Sequence, residues 1–379
     1  MRMKQSINAK EKEILRLLWR HKALSRWEIH ERTGNTPNQV GLDVGRLIKR
    51  GLLRERIPDI AGPGRPRVPL EIDPLRRYVL GLAIRPGHVE LARLNLRGDM
   101  LGRQLQVDVA SSDRLVLAVC ELIRKHIGPD CTGIGLSTPG FVDPDHHHIF
   151  SSSVLASQGP VKLVPIYVAA GEVAIILEND MHALAARWLL THEAEADEDT
   201  VLVFIEDGEL GSAVLINGQP NRGCVVGAND LGHTRFLIKT ELCHCGHHGC
   251  LERICSTPFL KKLDGKNHSL LERVVSVRQL AADPALRKMT RYLATGLANA
   301  ANFMRPNRLV VVSQFTRYPS FSDPLVRLVR RRLLAGIVDR VQIDLWDQPG
   351  TNNGETAGWL ALAALYRDGW NRVPSPPEQ

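Results

Sequence analysis

The sequence has no long apolar run: none of its 379 residues falls in a stretch approaching the roughly 18 apolar residues a membrane-spanning helix needs. No membrane span is therefore expected. The opening Met1-Arg2-Met3-Lys4 lacks the apolar core of a secretion signal and leads straight into an amphipathic pattern. Cysteine is scarce, with 7 in the chain and three of them in one short cluster. That usage fits a reducing cytoplasm, with Cys120, Cys131, Cys224 and Cys255 read as small core residues and not as a disulfide framework. No internal repeat reads convincingly. The length suggests two or three domains of ordinary globular composition.

The charge that is present is unevenly spread. Residues 1–77 hold 18 Lys and Arg against 9 Asp and Glu, and the remainder holds 31 against 32. The basic first fifth points to a polyanionic partner. Its pattern is that of a winged helix-turn-helix. Ile14, Leu15, Leu17 and Leu18 form an apolar stripe, and Ser25 with Glu28 forms a capping box for a second helix over Arg26–Thr33. Gly34 ends that helix, Thr36 caps a third with Pro37 in its first position, and Gly51 stops it. Short strands are expected at Leu52–Glu55 and Val68–Glu71, around a basic wing tip at Gly64-Arg65-Pro66-Arg67.

In such a module Thr36–Lys49 is the recognition helix, and double-stranded DNA is the expected partner. The amides of Asn38 and Gln39 are candidates for reading adenine; Arg26, Lys49 and Arg50 are candidates for phosphates; Arg65 and Arg67 could enter a minor groove. Gly41 and Gly45 suggest close approach of another backbone. The plainer reading is a helical dimerisation module with a solvated basic face. The module is expected to be removable without unfolding the rest.

A second signal lies between His233 and Glu252. One imidazole and three thiols, His233, Cys243, Cys245 and Cys250, are enough for a tetrahedral zinc shell, and Gly246 and Gly249 permit its turns. Unrelated reduced cysteines are the bland alternative. His146-His147-His148, following Asp143-Pro144-Asp145, reads as an exposed turn in preference to a second metal site.

The body reads as α/β. A buried strand at Tyr78–Ile84 and an alternating one at Val89–Leu96 lead to a strand over Leu101–Val109 and a helix over Ser112–Lys125. Thr132–Ser137 runs into Thr138-Pro139-Gly140, and Val173–Leu177 into Glu178-Asn179-Asp180. Polar loops at the C-terminal ends of strands are where open α/β sheets bind ligands. Further strands are expected at Val201–Ile205 and Leu309–Val312, with a final helix over Thr356–Asp368 packing back on the first lobe.

With these residues in view, the chain resembles the ROK family (repressors, open reading frames, kinases) from residue 6 to about 370. Asp230-Leu231-Gly232-His233 and Cys243-x-Cys245-Gly246-x-x-Gly249-Cys250-Leu251-Glu252 are similar to its zinc signature. Ser137–Gly140 and Glu178–Asp180 are similar to its sugar-binding motifs, and the Gly-Arg-Pro wing is similar to its repressor branch. The resemblance implies a winged helix-turn-helix (1–73) followed by a two-lobed actin-like (ribonuclease H-like) ATPase-type fold with a zinc knuckle. The first lobe would be 74–190 joined by 356–379, and the second 191–355, carrying the knuckle and the oligomer interface. It implies a homodimer or homotetramer that binds operator DNA in response to a sugar or sugar-phosphate effector. Asn179, Asp180, Asp230, His233 and Glu252 would bind sugar hydroxyls, with Thr138 and Gly140 lining the site. His233 would serve zinc through one ring nitrogen and the sugar through the other.

The resemblance also exposes three missing phosphate loops. Ala83-Ile84-Arg85-Pro86-Gly87 stands where family kinases carry Asp-x-Gly-Gly-Thr, Gly208-Glu209-Leu210-Gly211 where they carry Thr-Gly-x-Gly, and Ser313-Gln314 where they carry Gly-Gly. Pro86 removes a donor, and Glu209 near a phosphate would cost roughly 4 kcal/mol at about 4 Å in a surface-like dielectric. No ATP and no enzyme activity are expected. Two alternatives stay open: a sugar kinase with a fused DNA reader, and a repressor with an inert cleft controlled by protein contacts.

Overall fold

The computed structural model describes residues 7–57, 67–143, 146–152, 160–192, 197–223, 229–348 and 353–370. Arg65 and Cys224 lie outside them. The described chain begins with α1 (Ala9–His21), β1 (Ala23–Ser25), α2 (Arg26–Thr33), α3 (Pro37–Lys49), β2 (Leu53–Glu55) and β3 (Pro69–Ile72). The local signals act as expected: Ser25 with Glu28 closes a capping box, Thr36 Oγ1 accepts from Gln39 N, and Gly34 caps α2 at φ 68°; the structure adds a second box, Asn8 with Glu11, at the start of α1. The strands pair antiparallel in the order β1-β3-β2, the arrangement of a winged helix. The three-residue β1 carries no periodic signal and is held by pairing Leu24 with Leu70.

The next segment contributes β4 (Tyr78–Arg85), β5 (His88–Asn95), β6 (Leu105–Asp108), α4 (Ser112–His126), β7 (Cys131–Thr138), β8 (Phe141–Asp143), β9 (His148–Ser151), β10 (Val161–Lys162), α5 (Val164–Ala170), β11 (Ile175–Asn179) and α6 (Asp180–Thr191). Then come β12 (Thr200–Glu206), β13 (Glu209–Ile216), β14 (Gln219–Pro220), α7 (Leu251–Ile254), α8 (Thr257–Asp264), α9 (Leu270–Ser276), α10 (Pro284–Met304), β15 (Arg308–Val312), α11 (Pro319–Arg330), β16 (Gln342–Trp346) and α12 (Gly354–Tyr366). The chain divides into two compact units, residues 1–193 with 352–379, and residues 194–351. No helix among the described residues is long and apolar enough to cross a membrane.

Each unit is built on a five-stranded sheet, ordered β11-β7-β4-β5-β6 in the first and β14-β13-β12-β15-β16 in the second. Both contain an antiparallel meander whose first strand pairs in parallel with a later strand, itself paired in parallel with a third. The repeat that the sequence conceals is thus one of topology.

In the first unit β4 alternates between two faces. Leu80, Leu82 and Ile84 join the core formed with Val119 and Ile123 of α4 and Ile166 of α5. Gly81 faces α12, where a Cβ would lie 2.0 Å from Gly354 O; at Gly135 of β7 it would lie 1.9 Å from Ala357 O. Glycine is required at both because α12 rests on the sheet backbone itself.

The outer side of α12 carries α1. Trp19 meets Trp359 edge-on at 6.2 Å and tilts over Tyr366 at 4.8 Å, and its Nε1 donates to Leu190 O. Arg97, in the turn after β5, donates to Leu18 O, Trp19 O and Lys22 O. Buried Lys12 donates to Arg367 O and pairs with Asp368. Arg77, in the connecting segment, donates to Arg50 O and Pro129 O. The winged module therefore shares a core with the first lobe, and its removal would uncover Trp359 and Tyr366. The sequence suggested a removable module; the structure packs it on α12, within one compact unit with the first lobe.

The close approach expected at Gly41 and Gly45 is also absent, since a Cβ at either would meet nothing within 4 Å. These facts make opposite predictions for one substitution type. Gly135→Ala should destabilise the first unit by at least about 3 kcal/mol, because backbone cannot yield to the new methyl. Gly41→Ala should stabilise by roughly 0.5–1 kcal/mol through helix propensity. Urea unfolding of both variants checks the signs.

Candidate metal centre and ligand-binding residues

The metal cluster forms within the second unit. The chain turns through a 3-10 segment at Leu231–His233, and Arg235 then bridges to Cys250. Phe236 N donates to Gly249 O, and Cys243 N to His247 O. Gly246 and Gly249 have φ of +85° and +83°; a Cβ on Gly249 would lie 2.2 Å from Phe236 O. These turns bring one ligand atom each from His233, Cys243, Cys245 and Cys250 within 4.8 Å of one another. Cys243 Sγ is 3.5 Å from His233 Nδ1, and the Cys245 and Cys250 sulfurs are 3.5 Å apart. Zinc–sulfur bonds of about 2.3 Å in a tetrahedron place ligand atoms roughly 3.5–3.8 Å apart, so the observed edges fit.

The electrostatics fit as well. Burial, reinforced by the Glu252 carboxylate, pushes the Cys243 thiol up, and burial likewise raises Cys250. Cys245 ends at about 6: burial raises it, but hydrogen bonds from His247 and its neighbours outweigh that. A cation at the centre would favour the thiolates that burial alone opposes.

Glu252 is buried, and its Oε1 lies 2.9 Å from Cys243 Sγ and 3.3 Å from His244 Nδ1. His233, Cys243, His244 and Glu252 form a second cluster with ligand atoms equally close. The other nitrogen of His233, Nε2, is 3.8 Å from Asp230 Oδ2. Burial raises the Asp230 carboxyl, with His233 opposing the shift. One ring nitrogen thus faces the cysteines and the other a carboxylate. His146 instead turns outward to Asp143, while His147 is buried against Tyr167; the three consecutive histidines diverge.

In the first unit, parallel pairing of β11 with β7 sets Asn179 beside Thr138. Asn179 caps α6, its Oδ1 accepting from Met181 N, while its Nδ2 donates to Gly140 O at 2.8 Å. Thr138 is fully buried, and Gly140 adopts φ +96°. Asp180 is half-buried at the first position of α6. Beneath them, buried Glu178 pairs with His182 at 2.8 Å.

The loops opposite the kinase pattern have specific structures. Pro86 and Gly87 make a tight turn between the paired Arg85 and His88. Asp207 and Gly208 do the same between Glu206 and Glu209, with Asp207 accepting from Thr257 N. Gln314 reaches across the C-terminal ends of neighbouring β15 and β12, and its Nε2 donates to Glu206 Oε2 at 2.7 Å. Burial raises the Glu206 carboxyl. Sequence reading noted the absent glycines at Ser313-Gln314 but not this contact, which depends on the pairing of β12 with β15.

In the winged module Asn38 and Lys49 are exposed on α3. Gln39 is half-buried and donates to Asp43. Arg26 pairs with Glu55, Arg50 with buried Glu11, and Arg67 lies over the Trp27 ring at 5.8 Å. Thr36 caps the helix. Glu11, which no motif singled out, also accepts from Arg46, and so ties α3 to α1.

The ROK family model matches residues 86–365, and the chain belongs to that family. It is 23% identical over 370 residues to the xylose repressor of Bacillus subtilis (strain 168), covering 94% of each protein. A crystal structure of a ROK family transcriptional regulator, a homolog of the E. coli MLC protein, superposes with a TM-score of 0.73 at 21% identity, over 94% of this chain and 97% of that one. A ROK family glucokinase from Streptomyces griseus, in complex with glucose and AMPPNP, gives 0.56 at 21% identity, covering 76% of this chain and 98% of that one. The chain thus shares its fold with both, and the regulator match covers more of it than the kinase match does.

A paired measurement tests the cluster. Cys245→Ser should lower the metal bound per chain in elemental analysis, whereas Cys255→Ser, fully buried outside the cluster, should leave it unchanged. Equal metal content in all three proteins would exclude the assignment.

Proposed function

We propose that this chain is a DNA-binding transcriptional regulator, a repressor by kinship, whose affinity for operator DNA responds to a sugar or sugar phosphate. The observation that carries this reading is the winged module: helices and strands in the order and pairing of a DNA reader, with Asn38 and Lys49 exposed on its third helix. Asn38 is the candidate for base edges and Lys49 for phosphate, while Gln39, Arg26 and Arg50 hold the reader's shape through Asp43, Glu55 and Glu11.

Zinc is the ion that suits the cluster, since three thiolates and one imidazole complete its shell and leave no open position. It would be structural, fixing His233 so that Nε2 is available to a ligand beside Asp230 and Glu252. Within the first unit, Asn179 and Asp180 at the start of α6 are candidates for hydroxyl contacts. A kinase role is opposed by Gln314 and Glu206 joining side chains at the strand ends where a nucleotide phosphate would sit, with Asp207 and Glu209 adding negative charge.

The first unit offers a continuous mechanical path. Asn179 and Asp180 begin α6; α6 packs on α12, with Arg187 bonded to Glu355; α12 carries Trp19 of α1; and Glu11 of α1 holds Arg46 of α3. A ligand that shifts α6 would be felt at α3 within one body. A homodimer or homotetramer would present paired readers to half-sites about one helical turn apart, or a multiple of it.

The experiment is an operator titration with and without a monosaccharide or monosaccharide phosphate found by thermal shift, where saturation near a hundredfold over Kd adds about 2.7 kcal/mol. Ligand should change operator affinity roughly 5- to 150-fold, and Asp180→Asn should remove that response while leaving ligand-free DNA binding intact. Asn38→Ala should relax sequence preference. Unchanged operator affinity with ligand demonstrably bound would favour the inert-cleft regulator.

A further inference from the structure

The body of the chain looks neutral only on average. Between residues 284 and 340 there are 11 Lys and Arg against 2 Asp and Glu, so the rest of the chain beyond residue 77 is correspondingly acidic. Arg308 is taken up by Glu198 and Asp344, and Arg317 by Asp347. Arg287, Lys288 and Arg291 are exposed on α10 and have no carboxylate within 4.0 Å among the described residues. They line a groove with Tyr292, Thr295 and Arg332. Arg332 is half-buried and aimed: its Nε donates to Thr295 Oγ1 and one terminal nitrogen to Leu328 O.

A second groove, lined by Arg305 and Arg340, continues the strip. Asn302 joins the two, its Nδ2 donating to Arg332 O and its Oδ1 accepting from Leu334 N. The cations therefore form one band over α10 and the segment after α11, facing water, with Arg332 anchored to the backbone at its centre.

We propose that this band is a second contact for duplex DNA, engaging phosphates without regard to sequence. An extended ligand fits because the cations are strung along a helix and across two grooves and do not converge on one point. A second copy of the same face is disfavoured by like charge. Phosphate contact needs charge and reach and no base-edge complementarity, which matches arginines and a lysine on a solvated helix face. The proposal rests on the DNA-binding reading above and extends it from the winged module to the second unit.

The test is the salt dependence of full-length protein binding to duplex lacking an operator, comparing wild type with Arg287→Gln/Lys288→Gln/Arg291→Gln. All three positions are exposed and glutamine is a good helix former, so folding should be retained. If each cation meets one phosphate, the slope of log affinity against log salt should fall by roughly 2 to 3 per chain. The affinity lost between 50 and 200 mM salt would then shrink roughly 16- to 64-fold. Operator preference over random duplex should not change, whereas Asn38→Ala should alter preference and leave the slope. An unchanged slope in the triple variant overturns the second contact while leaving the winged reader intact. So does an unchanged slope accompanied by loss of a pyrophosphate-induced thermal shift, which would mark a small-anion site. Absence of binding to random duplex in both proteins overturns this inference, and absence of binding to operator as well overturns the regulator reading with it.

Discussion

Helix α12 resting on the bare backbone of the first sheet is the contact on which the rest of that unit depends. Gly81 and Gly135 leave no room for a methyl beneath Gly354 and Ala357, and a Cβ on Gly358 would strike Leu94 at 1.9 Å. A helix seated that low offers its other side to two further elements. One is α6, whose first residues are ligand candidates; the other is α1, whose Trp19 fills the space between Trp359 and Tyr366. The glycines thus set the height of a platform shared by the ligand motif and the DNA reader. Under the proposed function, a single helix touching both would couple them without a separate transmission element.

The second unit uses the same sheet plan for a different purpose. Its meander and parallel strands present Glu206 and Gln314 at the C-terminal ends of β12 and β15, where the sequence lacks the kinase glycines. The knuckle, built from a C-x-C turn and two left-handed glycines, is instead where its chemistry concentrates. The buried carboxylate of Glu252 against Cys243 makes the cluster more than a staple. Any ligand group approaching Asp230 and His233 meets side chains whose positions the thiol cluster sets.

Much of this was legible in residue order. Local signals located the first three helices to within a few residues: an apolar stripe marked α1, and Ser25 and Thr36 cap α2 and α3 by acting on the backbone beside them. The Cys243–Cys250 spacing was legible for the same reason, since its turns are local. What escaped was non-local. Strand β1 exists only because Leu24 finds Leu70, and the fifth-strand symmetry of the two sheets lies in pairing, not in repeated residues. The docking of α1 on α12 joins residues 340 positions apart in Trp19 and Trp359, so a charge shift and a change in pattern near residue 73 suggested a separable domain. The basic band was hidden because acidic segments elsewhere cancel it in any average over the body.

The central claim is that the reader and the first lobe are one body, so that events at the start of α6 reach α3 without crossing a hinge. Native-state amide hydrogen exchange on the full chain measures this directly, through the opening free energies of α1 and α12. The account predicts that the two helices open together with similar protection, and that Trp19→Ala lowers protection in both. Rapid exchange throughout α1 beside a fully protected α12 would show a module swinging on residues 72–77, and would contradict it.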